Sequence, residues 1–163
     1  MIFDSAWCKT LGVVSMAHIK LHEQSRYGFV YETTIQVGHL NYRRHLGHDS
    51  IVRILHEARV SLLHALGLDE LDLGDGKTAL VTSDLVVNYR SEGFMFDTLR
   101  VETHIDEIGP DGFRMFHRMT RDGQVVALAE IGLSGFDYTT RALVPIPGTF
   151  KEALERQGHR RPA

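Results

Sequence analysis

The longest hydrophobic period in the chain runs through Ile51, Ile54, Leu55, Ala58, Leu62, Ala65 and Leu66, which share one arc at about 100° per residue, with Arg53, Glu57 and His64 opposite. The spacing predicts an amphipathic helix from Asp49 to Leu66. Asp49 or Ser50 is expected to cap its start, and Gly67 followed by Leu68 has the pattern of a Schellman ending. Arg59 lies inside the apolar arc, where a charge needs a partner or a path to water; it is expected to be structural and bonded near a subunit interface.

Elsewhere the period is two. Tyr27 to Gln36 is rich in β-branched and aromatic residues and predicts a first strand; Thr78 to Tyr89 predicts a second, too apolar in its middle for an exposed edge. Leu99, Val101, Thr103 and Ile105 alternate with Arg100, Glu102, His104 and Asp106, a third strand with one wet face. Phe113 to Thr120 and Gln124 to Phe136 follow, joined by the hairpin signal Asp122-Gly123. Gly132 and Gly135 imply a bulge or a close backbone approach late in the last strand. Pro145 and Pro147 end the sheet, and Thr149 to Gln157 reads as a short, peripheral tail helix. The class is α+β: a strand, a long helix, then four strands. One helix covers only one face of such a sheet, so the remaining apolar surface predicts a homodimer through the second strand, with pairing of dimers into a tetramer left open.

A chain of 163 residues fits one domain. We read residues 1–26 as an N-terminal arm with an alternative start at Met16, residues 27–147 as the domain, and residues 148–163 as a helix and tail. A net charge of −3 with dispersed Lys and Arg argues against a nucleic-acid partner. The single Cys8 excludes an internal disulfide and fits a reducing cytoplasm. No apolar run approaches the roughly 20 residues of a membrane helix, and the N-terminus is a poor signal peptide. The expected location is cytoplasmic, with no membrane partner.

The chemistry concentrates in the loop from His39 to His48, which delivers its histidines to the positive end of the helix. The first N–H groups there have no partner in the helix and are suited to polarising a carbonyl. His45 and His48 are of the side-chain type that moves protons near neutral pH. Taken alone, Asn41 is a turn residue, Asp49 an N-cap, and Glu57 a solvated carboxylate paired with Arg53. His48, His56 and His64 are eight apart and diverge around a helix, so neither a metal nor another cofactor is expected.

The run HLNYRRHLGH…ILHEARVSLLHALGL resembles the hot dog fold acyl-CoA thioesterases of the 4-hydroxybenzoyl-CoA thioesterase type, whose run reads approximately D-x-D-x-x-G-H-V-N-N…(Y/L)-x-E-x-A-R…L-G. VNYRSEGFMFDTLRVET is similar to the family's apolar-x-Y-x-x-P…G-D-x-L-x-V segment, and FDYTTRALVPIP to its D-x-x-T-x-R-x-x-P-x-P close. The resemblance spans Tyr27 to Pro147. It implies an antiparallel sheet wrapped around one long central helix, and hydrolysis of an acyl-CoA, aroyl-CoA or acyl carrier protein thioester to acid and thiol. The CoA thioester would be a substrate rather than a cofactor, and the assembly a homodimer or a dimer of dimers.

Carried over residue by residue, the resemblance places Asn41 under the usual catalytic aspartate, His39 under the earlier acidic residue, and Arg44 to His48 under G-H-V-N-N. An amide is neither base nor nucleophile, so Asn41 is expected to orient water while His48, Asp49 or Glu57 removes its proton. His48 is favoured, because one branch of the family has a histidine seven positions after the aspartate. The backbone N–H near Gly47 is the implied donor to the thioester carbonyl, flanked by His45. Tyr42 is a candidate pocket wall, and Arg90, then Arg43 and Arg44, are candidates for the CoA phosphates. Two other readings are a non-catalytic acyl-CoA-binding hot dog protein and a hydratase or dehydratase, whose D-x-N-P-x-H pattern is broken at His39 and Tyr42.

Overall fold

β1 (Phe29–Thr34) leads through a 3₁₀ turn (Val37–His39) to α1 (His48–Ala65), followed by β2 (Thr78–Tyr89), β3 (Thr98–Asp106), β4 (Gly112–Arg121), β5 (Gln124–Asp137), β6 (Ala142–Leu143) and α2 (Gly148–Gly158). This is a computed structural model, and it describes residues 19–158. Most of the expected arm, with Cys8 and Met16, lies outside the described residues, as do the last five residues of the tail. The strands form one antiparallel sheet in the order β1-β3-β4-β5-β2, with β6 paired to the end of β5. The sheet is wrapped around α1 in the hot dog arrangement.

α1 buries Ile51, Ile54, Leu55, Ala58, Leu62 and Leu63, whereas Ala65 is exposed. Its start differs from the expectation. Gly47 is the N-cap, no side chain caps it, and Asp49 and Ser50 fall in the first turn. There the Asp49 carboxylate favours the positive end of the helix dipole and pairs with Arg53 at 3.8 Å, displacing the expected Arg53–Glu57 pair. The other end is a Schellman motif. Gly67 has φ +77°, its N–H donates to His64 O at 2.9 Å, and Leu68 N–H donates to Leu63 O at 2.9 Å. Arg59 is satisfied within the chain, by Glu70 (Nε to Oε1, 2.5 Å) and Thr82 (Nη1 to Oγ1, 3.3 Å). Burial raises the Glu70 carboxyl, but the His56 hydrogen bond and the Arg59 guanidinium outweigh it and hold the group below its ordinary range.

The core has two lobes along α1. Ile51, Ile54, Leu55 and Ala58 pack with Ile35, Leu46, Leu99, Val101 and Met119. Leu62 and Leu63 pack with Leu73, Phe113, Met115, Leu133 and Phe150. Phe150 is fully buried and its ring lies 4.8 Å from that of Phe113, so α2 closes the second lobe rather than lying at the periphery. Only one face of α2 is apolar, at Phe150, Ala153 and Leu154, and such a short stripe is weak in the sequence.

β2 is also a correction, because among the described residues it pairs with no strand but β5 and is a sheet edge. Its apolar start, Ala79 and Leu80, is buried, while Thr82 to Leu85 are exposed. The irregularity falls on β2 rather than on the last strand, as a register shift between Thr82 and Asp84. Gly132 faces it, where a Cβ would collide with Asp84 and Arg114. A Cβ on Gly135 would strike the Val144 carbonyl, so that glycine lets β6 approach. The segment from Ile19 to Tyr27 is tied to the sheet by the Asn88 amide, which accepts from Leu21 N–H at 2.8 Å and donates to Ile19 O at 2.9 Å.

Candidate active site

Residues 39–47 fold into a tight loop ahead of α1. Asn41 N–H donates to His45 O and Arg44 N–H to Asn41 O, both at 2.9 Å, and Leu40 bridges to Leu46. Arg44 takes φ +64° at the tip. The loop is anchored at both ends. Gly47 N–H donates to His39 O at 2.9 Å, and Leu46 N–H donates across to Gly93 O at 2.8 Å. The second bond brings the segment after β2 against the histidine loop. Glycine suits the approach, since a Cβ at position 93 would lie 2.7 Å from Ile35 Cδ1, which would have to shift.

Between the two segments and the start of α1 lies an open cleft of about 970 Å³, floored by Leu46 and Ile51 and walled by Asn41, His45, His48, Tyr89, Arg90, Glu92, Phe94 and Arg121. The outer wall is fixed by Asp97. Its carboxylate accepts from Arg121 Nη1 at 2.7 Å and from Phe94 N–H at 2.8 Å. The Arg121 bond and that backbone donor hold the Asp97 carboxyl below its ordinary value. The Arg121 guanidinium also lies 5.4 Å over the Phe94 ring. Tyr89 lines the cleft, and its phenol is pushed up by burial and by the Asp49 charge.

Of the residues singled out in the sequence, Asn41, His45, His48 and Arg90 come together in this cleft. The Asn41 amide does two things. Its Oδ1 accepts from Arg43 N–H at 2.8 Å, as a turn residue would, and its Nδ2 stands 3.3 and 3.4 Å from the two ring nitrogens of His45. His48 is the first residue of α1 and sits edge-on to Tyr89, with ring centroids 6.5 Å apart. Arg90 donates one Nη2 bond to Leu21 O at 3.2 Å. Gly47 is buried beneath the loop, and a Cβ there would lie 2.5 Å from Asp49 Oδ1.

The remaining candidates lie elsewhere. Asp49 is turned toward Arg53. Tyr42 is 88% exposed and touches Arg43 rather than the cleft. Glu57 accepts from Tyr31 OH at 2.9 Å on the β1 side, away from the cleft lining. Tyr89, Glu92, Arg121 and Gln124 are cleft residues that the sequence did not single out. Tyr89 stands at the tyrosine of the apolar-x-Y-x-x-P segment and Glu92 at its proline position, the signal that could have found them. Among the described residues, no three His, Cys, Asp or Glu side chains stand together as a metal site, and no helix is long and apolar enough to cross a membrane.

A model of the thioesterase-like superfamily matches residues 35–154. No curated protein matches the chain. Among solved structures, a 1,4-dihydroxy-2-naphthoyl-CoA thioesterase from Synechocystis superposes with a TM-score of 0.73 at 18% identity, covering 81% of this chain and 98% of that one. A Staphylococcus aureus protein in complex with CoA gives a TM-score of 0.73 at 18% identity, over 83% of this chain and 86% of that one. A gentisyl-coenzyme A thioesterase gives 0.69 at 20% identity, over 77% and 98%. At these identities the likeness establishes the fold.

Proposed function

The chain belongs to the thioesterase-like superfamily, and on that premise we propose that it hydrolyses an acyl-CoA or aroyl-CoA thioester, or the same acyl group on a carrier protein, in the cleft beside Asn41. The observation that carries this reading is the convergence, in one open cleft, of the histidine loop, the start of a long helix and a strand-end arginine. A thioester carbonyl laid against the first turn of α1 would be polarised by N–H groups that no helical carbonyl satisfies. Asn41 would position the attacking water, and a cleft imidazole, His45 or His48, would take its proton. Arg90 and Arg43 line the mouth and would hold phosphate oxygens of the CoA. The CoA complex of the Staphylococcus aureus relative supports that ligand class.

The reading includes a homodimer formed edge to edge through β2. Beyond Leu80, whose N–H donates to Glu70 O, β2 has β5 as its one strand neighbour among the described residues, and its exposed Leu85 and Tyr89 favour pairing with a second copy. Sedimentation at micromolar concentration should show a dimer; a monomer would contradict this part. The activity is tested by thiol release from a panel of acyl- and aroyl-CoAs. Turnover of at least one member is expected, and tight binding without thiol release would favour the non-catalytic acyl-CoA-binding reading instead.

A further inference from the structure

We infer that His45 is the general base of the cleft and that Glu92 is the residue that positions it. This deepens the hydrolase reading and rests on it. The side chain of Glu92 reaches His45 across the two loops, with Oε1 3.7 Å from Nε2. The Leu46–Gly93 hydrogen bond places residue 92 there, and the missing Cβ at Gly93 permits the approach. The other ring nitrogen, Nδ1, lies 3.3 Å from Leu46 O. The Asn41 amide nitrogen stands 3.3 Å from Nδ1 and 3.4 Å from Nε2, so both ring nitrogens have polar neighbours. Nε2 is the nitrogen that faces the Glu92 carboxylate, to which an imidazolium N–H would donate.

His48, favoured from the sequence, lacks this support. Among the described residues its ring makes an edge contact to Tyr89 and no hydrogen bond that would fix a tautomer. The other charged or titratable groups facing the cleft are Arg43 on the same loop, Tyr89 and Arg90 at the end of β2, and Arg121 at the end of β4. Arg121 is paired to Asp97, which leaves Glu92 as the carboxylate beside the ring.

In the step this arrangement performs, the His45 imidazole takes a proton from water as the water oxygen bonds to the thioester carbon. Glu92 offsets the imidazolium charge that forms. The tetrahedral oxyanion then re-forms the C=O bond and the C–S bond breaks, its electron pair leaving on sulfur. The imidazolium returns the proton to the thiolate, giving acid and thiol with His45 neutral again.

The test is a double-mutant cycle on the acyl-CoA that the unmodified protein turns over best. His45→Gln should lower kcat by about 10²–10⁴, the usual worth of a general base. Glu92→Gln should lower kcat by roughly tenfold or more with little change in KM, since it acts only on the ring that receives the proton. In the His45→Gln background Glu92→Gln should cost nothing further, and in a His48→Ala background it should keep its full effect. Both side chains are partly exposed, 25% for His45 and 46% for Glu92, so these polar replacements are expected to retain the fold. Additive losses, a rise in KM with kcat unchanged, or coupling to His48 rather than His45 would overturn the pair while leaving the hydrolase reading intact. Absence of turnover by the unmodified protein across the panel would overturn the hydrolase reading, and the pair with it.

Discussion

The amide of Leu46 donates to the carbonyl of Gly93 at 2.8 Å, and this one bond holds the histidine loop and the strand-exit segment together as two sides of a cleft. Gly93→Ala would place a methyl group 2.7 Å from Ile35 Cδ1, the end of a fully buried side chain that would have to shift. Overpacking of this kind costs about 1–3 kcal/mol. A thermal melt should therefore show Tm lower by several degrees, at roughly 2–4 °C per kcal/mol for a chain of this size. Turnover should fall more than stability explains, because residue 92 moves with the backbone. An unchanged melt and unchanged kcat would show that the two segments are not coupled in this way.

Arg90 lines the cleft and, among the described residues, its side chain spends one nitrogen on the chain itself, at Leu21 O. A phosphate contact from the remaining donors contributes mainly to binding. Hydrogen bonds to charged groups are worth about 1.5–3 kcal/mol, so Arg90→Ala should raise KM by roughly tenfold or more while kcat changes little. A fall in kcat at constant KM would place Arg90 in the chemical step instead.

His117 on β4 is buried, with Nδ1 2.9 Å from Thr103 Oγ1 and no partner for Nε2 among the described residues. Burial, assisted by the Arg59 charge, pushes its pKa down from 6.5 to about 3. Below 6.5 the unfolded chain takes up a proton that the folded chain refuses, so this contribution to stability is complete above 6.5 and is lost as pH falls toward 3. Glu70 and Asp97 are held low instead, and what they contribute is lost only below their ordinary values of 4.5 and 3.8. Urea midpoints should accordingly decline from pH 6.5 to 5, before those carboxylates act, and His117→Gln should flatten that decline. An equal slope in the variant would contradict the burial argument.

The fold was legible where one period dominated. The α1 arc, the β3 alternation, the Asp122-Gly123 hairpin and the close approach at Gly135 each follow from local rules, and the structure has them. Long-range choices were not legible. The apolar middle of β2 does not reveal that, among the described residues, its strand partner is β5 alone, and the short stripe on α2 does not reveal that Phe150 meets Phe113 across the core. In the site, the loop from Asn41 to His48 stood out because unusual residues lie together in the chain. Glu92 meets His45 only through the Leu46–Gly93 bond, a contact between residues far apart in sequence, and Glu57 turns to Tyr31 because the strand beside it supplies a phenol.

The central claim is that the thioester is broken in the cleft of the histidine loop and not along the polar side of α1. The most direct test compares kcat for thiol release by Asn41→Ala and Glu57→Ala on the best acyl-CoA substrate. The structure predicts a loss of about tenfold or more for Asn41→Ala, which removes the amide beside His45, and near-normal turnover for Glu57→Ala. Full activity in Asn41→Ala together with a loss of about 10²-fold or more in Glu57→Ala, the size expected of a missing base, would move the chemistry to the helix carboxylate and contradict the account.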